Sequence, residues 1–529
     1  MGTSAKNTTV AVVGAGPVGL AALKCLREEG FAVTAFESRD DVGGVWYYSQ
    51  DEDTLLNSSK FVAHFSDYPF PPDYPTYPPA PLMHEYFKGY VKDFGLRENI
   101  HFDTTVDDIS RVSKTGKWRL TLRSNGATKN IEFDKVVLSN GLVYRPVIPK
   151  FEGSERFEGA LMHARDYKSA QSLLGKNVVV VGIGNTAADV AVDLAGTASK
   201  VYLSHRRGAL VISRFRLGAP VELSINYNTL RLLNFMEEKL PTFTGKIIDW
   251  LTEGMMDKCW ETDPSWGLKP SPSFSTTLPC VNESLIPLLA EGAITSVRGL
   301  RRFIGPRSVE LDDGTVVDDV DAVILGTGYS SDTTITPWLE KATPRNYGGP
   351  PMPRLFLQIF PPEYADSIAF LNTYNATDCA WVLGELCSMA IAQLWAGKSS
   401  FPSRERMETS IRRQMAFNAS MWRRDHSVEK GVVRAGEFYQ FIHAAAGTGL
   451  RKALGWGISG WRFSLGDREM AKLMNWGIVT PHMMRLIKTG KRKAWDGARE
   501  AIKKTNSEAR NLDSVPQRFC LSELVASYE

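Results

Sequence analysis

Apolar and polar positions along this chain switch between two periods, and the first 37 residues already contain both. Val10–Val13 is a short apolar run rich in β-branched residues. Leu20, Leu23 and Leu26 follow at helical spacing, the pattern breaks near Gly30, and a second strand-like run closes on Glu37. Gly14, Gly16 and Gly19 lie between the first run and the helix in the spacing G-x-G-x-x-G. The pattern predicts a βαβ unit. Gly14 permits the tight turn, Gly16 lets backbone approach a pyrophosphate on the helix N-terminus, and Gly19 lets helix and strand pack closely. Glu37, at the end of the second strand, is placed to accept from ribose hydroxyls. Strand, helix, second strand and terminal acid agree, so the stretch predicts dinucleotide binding.

The same periodicity recurs. Val178–Val181 runs into Gly182-Ile183-Gly184-Asn185-Thr186-Ala187, a helical stretch spans Ala188–Leu194, Gly196 breaks it, and Val201–Ser204 reads as a strand. This is G-x-G-x-x-A, an allowed variant. Two units in one chain imply two dinucleotides. The second strand ends in His205-Arg206-Arg207, where the first ends in Glu37. No carboxylate stands there to repel a 2′-phosphate, and two guanidiniums suited to bidentate phosphate contacts arrive instead. The second nucleotide is therefore expected to be NADPH rather than NADH.

Elsewhere the pattern predicts a helix over 83–97 and strands within 100–137, with a turn at Ser124-Asn125-Gly126. Val136–Leu138 is a buried run delivering Ser139-Asn140-Gly141, small residues that would bring backbone close to a ligand. Asp313-Gly314 marks a hairpin. Val320–Leu325 delivers Gly326-Thr327-Gly328-Tyr329. Further strands are expected at Leu355–Ile359 and Ile368–Leu371, and helix at about 378–396. Residues 64–81, rich in proline and aromatics, read as a rigid wall or connecting loop rather than as a polyproline ligand. Residues 208–300 mix helical and loop signals and would form an insertion. Beyond Pro402 helical and basic patterns dominate. The basic run within Met484–Lys504 is interrupted by Gly490 and Gly497, which favours a solvated helix over a membrane-surface one.

Composition narrows the class. A chain of 529 residues suggests two to four domains, and 43% hydrophobic with 23% charged residues is ordinary for a soluble globular protein. A net charge of +3 is too small to argue for nucleic acid. The six cysteines form no C-x-x-C pair, which argues against zinc and against a redox dithiol and fits a reducing, cytoplasmic compartment. The polar N-terminus has no signal-peptide core, Lys6 spoils a myristoylation motif at Gly2, and no apolar run is long enough for a transmembrane helix. The sequons at Asn57 and Asn375 carry no meaning without secretion.

Together these residues resemble a flavin-containing monooxygenase that carries FAD and NADPH on one polypeptide. The resemblance rests on the first glycine motif and Glu37, on Gly43-Gly44-Val45-Trp46, on Asn57-Ser58-Ser59-Lys60 and on Phe65-Ser66-Asp67-Tyr68-Pro69. It continues through Phe157–Tyr167, which fits F-x-G-x-x-x-H-x-x-x-Y/F and is the most specific of the set. The second glycine motif, Arg206-Arg207-Gly208 and Gly326-Thr327-Gly328-Tyr329 complete it. It covers about residues 8–397.

The resemblance implies an α/β fold of two Rossmann-like dinucleotide-binding domains in three-layer β/β/α form, with parallel sheets and a largely helical C-terminal region. Residues 1–167 and 328–400 would bind FAD. Residues 168–327 would bind NADPH, with an insertion at about 210–280, and 401–529 would be a helical extension. By the same resemblance Gly14, Ala15, Gly16, Pro17, Gly19, Glu37, Gly44, Val45, Trp46 and Asn57 hold FAD. Gly182, Gly184, Asn185, Thr186, Ala187, Ser204, Arg206 and Arg207 hold NADPH, and Gly328 belongs to the cofactor set. Asn57 matches the family asparagine beside the flavin and is the expected catalytic residue; no metal is expected. The implied cycle reduces FAD with NADPH, adds O2 at flavin C4a, and passes the distal oxygen of the hydroperoxide to a soft nitrogen or sulfur of a small molecule. Relatives that insert oxygen beside ketones usually end the fingerprint in Trp; here it ends in Tyr167, which favours heteroatom oxygenation. Baeyer–Villiger chemistry, an NADPH-dependent flavoprotein reductase and a non-catalytic flavoprotein are the alternatives. The hydrophobic C-terminal anchor of the animal microsomal members is absent, so any membrane contact would be a weak one through the basic C-terminal region.

Overall fold

The computed structural model describes residues 7–48, 54–143, 145–216, 218–274, 277–331, 333–375, 378–424 and 431–511. Gly2, Lys6, Cys520 and the last part of the 401–529 extension lie outside them.

A five-residue apolar strand, Thr9–Val13, is the centre of the first sheet. Thr9–Val13 pairs in parallel with Ala32–Phe36 on one side and with Lys135–Leu138 on the other. Ile100–His101 extends the sheet beyond Ala32–Phe36, and Ile368–Phe370, from far along the chain, pairs in parallel with Lys135–Leu138 at the opposite edge. The central strands are buried on both faces, which is why their apolar positions run continuously instead of alternating. The helix Pro17–Glu28 covers one face. The antiparallel strands Thr105–Arg111, Trp118–Ser124 and Ala127–Phe133 supply a third layer on the other, and Trp118 is fully buried there against Trp338 and Tyr364. The hairpin turns at Asn125-Gly126, both at positive φ, as Asn-Gly requires.

A second parallel sheet repeats the plan. Its order is Ile294–Arg298, Lys200–His205, Asn177–Val181, Ala322–Leu325 and Ala160–His163. The helix Asn185–Leu194 covers one face, and the antiparallel strands Leu300–Gly305, Ser308–Leu311 and Val316–Val317 pack on the other. Two helices, Tyr227–Lys239 and Pro241–Cys259, form the body of the insertion.

Three expectations are corrected. The strand Ala160–His163 lies in the second sheet, so the chain crosses between sheets before the expected boundary at 167; the apolar run is too short to declare its partner. Leu355–Ile359 is a tight loop and not a strand. Leu357 and Gln358 sit at φ of 54° and 59°, and Phe356 and Phe360 exchange both backbone hydrogen bonds, so the apolar run turns back on itself. The basic run Met484–Lys504 is not one solvated helix. It divides into the turn Met483–Leu486 and the helix Ala498–Glu508, and Arg485 and Arg492 are buried.

Burial of Arg485 ties the C-terminal region into the first domain. The helix Ala380–Trp395, largely apolar and almost wholly buried, packs against Pro17–Glu28 and against Ala435–Ala446. Gly384 permits the first crossing, since a Cβ there would come within 2.9 Å of Val18. At the edge of this packing the Arg485 guanidinium reaches Glu28 at 3.0 Å, Asp67 at 3.3 Å and Glu385 at 3.5 Å, and its Nε donates to Ser66 Oγ at 2.8 Å. Lys24 completes the cluster through Asp67 at 2.6 Å and Glu28 at 2.9 Å. Burial pushes the Glu385 carboxyl above its ordinary range against the pull of Arg485, and Ser66 donates to it from both backbone and hydroxyl. His482 and His64 stack at 4.0 Å beside it, and His482 is pushed down to about 4 by burial.

Removing one partner from such a cluster leaves the others charged and dry. Arg485→Met is expected to destabilise the protein by about 3–5 kcal/mol in urea unfolding. Lys488→Met, which removes an exposed pair with Asp496, should leave the unfolding midpoint in place. Equal midpoints for the two variants would show that the cluster is not a stabilising contact.

Candidate active site

The first glycine loop is built by a close approach. Gly14 sits at φ +98°, and its N–H donates to the Phe36 carbonyl at 2.8 Å. A Cβ on Gly19 would fall 2.0 Å from the Gly14 carbonyl oxygen and 2.9 Å from Ser139 Oγ, so helix and loop could not both keep their places. Pro17 opens the helix, where its missing N–H costs nothing. Glu37 is buried. One carboxylate oxygen accepts from the Ala15 N–H at 2.8 Å, and the other accepts from Ser38 Oγ and the Arg39 N–H. The Gly43-Gly44 turn folds over this loop: the Gly43 N–H donates to the Ala15 carbonyl, and a Cβ on Gly16 would meet Gly44 Cα at 3.4 Å.

The second loop repeats the construction with one exchange. Gly182 is at φ +119°, and its N–H donates to the Ser204 carbonyl at 2.8 Å. The register therefore makes His205 the counterpart of Glu37. Ala187 replaces the third glycine, and Gly326 stands where the first unit has Ser139: a Cβ on Gly326 would lie 2.6 Å from that of Ala187. The methyl group is accommodated because the facing strand has none. His205 is buried, with Nδ1 donating to the Arg207 carbonyl at 2.7 Å and Nε2 against Ser296 Oγ at 2.8 Å. Burial holds its pKa below the ordinary value, so the counterpart of Glu37 carries no charge at neutral pH. Arg206 is exposed and has no carboxylate partner among the described residues, and Arg207 donates to Thr277 Oγ1 at 3.3 Å. Asn185 Oδ1 accepts from the Val281 N–H at 2.7 Å, drawing the 279–281 strap over the helix N-terminus.

Both loops open on one cleft of about 1520 Å³. That exceeds the roughly 300–1,000 Å³ of a single small-molecule site and suits two dinucleotides end to end. Gly14, Gly16, Pro17, Glu37, Gly44, Val45 and Trp46 line it from one side, and Gly182, Gly184, Asn185, Ser204, Arg206 and Arg207 from the other, with Gly328 between. A Cβ on Gly184 would meet no protein atom within 4 Å, so the approach to the second helix is open to a phosphate. Ala15, Gly19 and Ala187 lie beneath the loops, and Thr186 is exposed away from the cleft lining. The residues fit both groups.

The fingerprint Phe157–Tyr167 is fixed to the second sheet and to the loop at Gly328 that follows it. Phe157 packs on Phe303, and Gly159 fits where a Cβ would strike the Asp321 carbonyl at 2.5 Å. His163 Nε2 donates to the Gly328 carbonyl at 3.1 Å while Nδ1 accepts from the Arg165 N–H. Tyr167 donates to Asp193 on the second glycine-loop helix.

Asn57 is exposed and is not among the residues lining the cleft. Its Oδ1 accepts from Arg214 Nη2 at 2.9 Å. Arg214 comes from the insertion, is buried, and pairs with Glu283 while its carbonyl accepts from Tyr77. Sequence reasoning missed Arg214, because a lone arginine in an aperiodic stretch carries no local signal. It also missed Arg39, which lines the cleft and donates to the Gly44 carbonyl at 2.9 Å, and Trp381, which meets Trp46 edge to face at 6.0 Å. Arg39, two residues past Glu37, was the one legible in position.

The sequence matches the flavin-binding monooxygenase-like family over residues 7–521. It is 36% identical over 522 residues to monooxygenase aurF of Gibberella zeae, covering 95% of this chain and 98% of that one. It is 30% identical over 510 residues to human flavin-containing monooxygenase 3, covering 93% and 91%. Among solved structures, S-allyl-L-cysteine S-oxygenase from Allium sativum superposes with a TM-score of 0.57 at 19% identity, covering 98% and 97% of the two chains. A closed cyclohexanone monooxygenase superposes at 0.62 and 16% identity, covering 83% and 97%. With both dinucleotide loops intact and the match spanning nearly the whole sequence, the chain belongs to the flavin-binding monooxygenase-like family and is an NADPH-dependent flavin monooxygenase that uses FAD.

Proposed function

We propose that this enzyme oxygenates a soft nucleophilic nitrogen or sulfur atom of a small molecule. The carrying observation is the pair of glycine loops opening on one cleft, with a carboxylate at the first ribose position and two arginines at the second. The residues lining that cleft would hold FAD and NADPH, and the flavin would there supply the hydride acceptance and O2 activation. The chain's own task is to hold both nucleotides in register and keep water from the reacting atoms. The first sheet, with Ile368–Phe370 added, is the FAD-binding half, and the second sheet is the NADPH-binding half. Tyr167 at the end of the fingerprint supports heteroatom chemistry. So does the relative named dimethylaniline monooxygenase [N-oxide-forming] 2 from Oryctolagus cuniculus, 30% identical over 509 residues. Baeyer–Villiger oxidation is the second reading, favoured by the fold shared with cyclohexanone monooxygenase. Product identification with an amine, a sulfide and a ketone separates them: lactone or ester as the dominant product overturns the first reading.

Asn57 is assigned the polar contact to the reacting cofactor. Arg214 supports this by holding its carbonyl oxygen, which leaves the amide N–H groups as the free end, and the Ser59 backbone is pinned by Glu222. Its place outside the cleft lining is the observation against a direct contact, so the assignment stands on the variant. Asn57→Leu should keep FAD, lose about a hundredfold in product rate, and divert NADPH to hydrogen peroxide. Product at the parental rate would leave Asn57 only its tie to Arg214.

Arg206→Ala should raise KM for NADPH by about 10- to 100-fold, the loss of one charge-assisted hydrogen bond, with little change for NADH. Equal shifts would remove Arg206 from the 2′-phosphate.

Gly16→Val should purify folded but nearly colourless. The Cβ has room within the protein at 3.4 Å from Gly44, so lost flavin would reflect the pyrophosphate and not the fold. Stoichiometric FAD in this variant would refute the first site.

A further inference from the structure

Three of the most exposed apolar side chains share one helix face, far along the chain from either glycine loop. The helix Ile458–Gly466 turns Gly460, its buried residue, and Phe463, which packs on the main core, toward the body; Gly460 also lets the helix close on the turn before it, since a Cβ there would lie 1.9 Å from the Gly455 carbonyl oxygen. At about 100° per residue, Ile458, Trp461 and Leu465 fall within about 60° of one another on the far side of the helix. Their exposures are 82%, 67% and 65%. Trp456, just ahead, is exposed too and meets Phe235 of the insertion at 6.2 Å, with the Arg231 guanidinium 4.5 Å over its ring. The helix Tyr227–Lys239 in turn packs against Pro241–Cys259, so the two sequence-distant stretches share one surface. On Pro241–Cys259 the acids Asp249, Glu253 and Asp257 recur every fourth residue and bond back to Ser273, Ser271 and Lys269, while Phe243 and Trp250, seven apart, stay exposed.

We propose that this surface docks on a lipid bilayer bearing anionic headgroups, with the helix Ile458–Gly466 lying in the interface. Trp, Ile and Leu on one helix face with basic residues beside them is the composition of an interfacial helix. Charge selects the occupant. Leu450–Gly466 carries Arg451, Lys452 and Arg462 and no acidic residue. All three cations are exposed, and none has a carboxylate partner among the described residues. A second copy of the chain docking by two-fold symmetry would set this basic patch against itself. The basic run Met484–Lys504 does not compete for the role: Arg485 and Arg492 are buried, Lys491 donates to Ser399, and Arg499 and Lys503 pair with Asp467 and Glu469. Among the described residues no helix is long and apolar enough to cross a membrane, so the contact is peripheral.

Vesicle flotation of the full-length holoenzyme tests this, comparing phosphatidylcholine alone with phosphatidylcholine containing one-quarter phosphatidylglycerol. The expected result is binding to the anionic vesicles at least about tenfold tighter than to neutral ones, weakened by high salt. The triple variant Ile458→Ser, Trp461→Ser, Leu465→Ser should lose that binding by about tenfold or more while keeping its FAD absorbance and its thermal midpoint. Replacing Arg451, Lys452 and Arg462 by Gln should abolish the preference for anionic lipid. Wild-type protein that floats with neither vesicle, or a triple variant that floats as well as wild type, overturns the proposal. So does light scattering that shows a dimer which the triple variant dissolves, since a second copy would then be the occupant.

Discussion

A phosphate can sit on a helix N-terminus only if the loop before it has no side chain in the way and the strand behind it comes close enough to fix the turn. That steric limit governs both halves of this protein. It is met twice by different residues. In the first loop Gly19 leaves room for Ser139, whose hydroxyl bonds back to the Val13 carbonyl at 2.8 Å. In the second, Ala187 brings a methyl group and Gly326 gives up its side chain. The third position of the motif and the end of the third strand therefore form one unit. The allowance for alanine in G-x-G-x-x-A is a statement about its partner strand.

The C-terminal region depends on the first loop as well. The helix that begins at Gly16 carries Lys24 and Glu28 on the face away from the cleft, and these meet Arg485, Asp67 and Glu385 in the buried cluster. The segment Phe65–Pro69, one of the motifs, serves here through its backbone: Ser66 donates to Glu385 from its N–H, and its carbonyl accepts from His482. A motif that borders a cofactor domain is thus anchored by charges drawn from three sequence-distant stretches. The helix that follows the first glycine loop cannot shift without breaking that cluster. Sequence reading left residues 401–529 without a role because its cations look solvated when counted along the chain.

What was legible follows from how local each constraint is. The two βαβ units could be read because apolar period, glycine spacing and terminal charge all lie within about thirty residues of each other. His205 was placed opposite Glu37 by counting along the strand, and the parallel register bears that out at Val13–Phe36 and Val181–Ser204. Leu355–Ile359 has a strand's composition, yet it turns, because Phe356 and Phe360 bury their rings from a closed loop. Arg214 and Arg485 were invisible because the partners that give them meaning lie far along the chain, at Asn57 and Glu283 for the one and at Glu28, Asp67 and Glu385 for the other. The exposed face of Ile458–Gly466 has helical spacing, but spacing alone does not say whether a face points inward; the burial of Gly460 and the core packing of Phe463 on the opposite side decide that.

The two nucleotide sites, built on the same plan, differ in how they are covered, and the difference fits their separate tasks. At the first, Gly43-Gly44 closes over Gly16, Arg39 ties the Gly44 carbonyl down, and its guanidinium lies 3.4 Å over the Tyr48 ring. Glu37, the acid proposed to meet the ribose, is buried and already committed to the Ala15 N–H. A ligand enclosed in this way leaves only when that cover opens. At the second, Gly184 faces open space, and Arg206 is exposed. Its charge acts through solvent, where salt screens it and the hold on a partner is weak. FAD must remain through many turnovers, whereas NADPH must arrive reduced and leave oxidised. The covered site suits the resident cofactor and the open, cationic one suits the cofactor that exchanges, so the same βαβ turn serves both lifetimes through its cover and its charge.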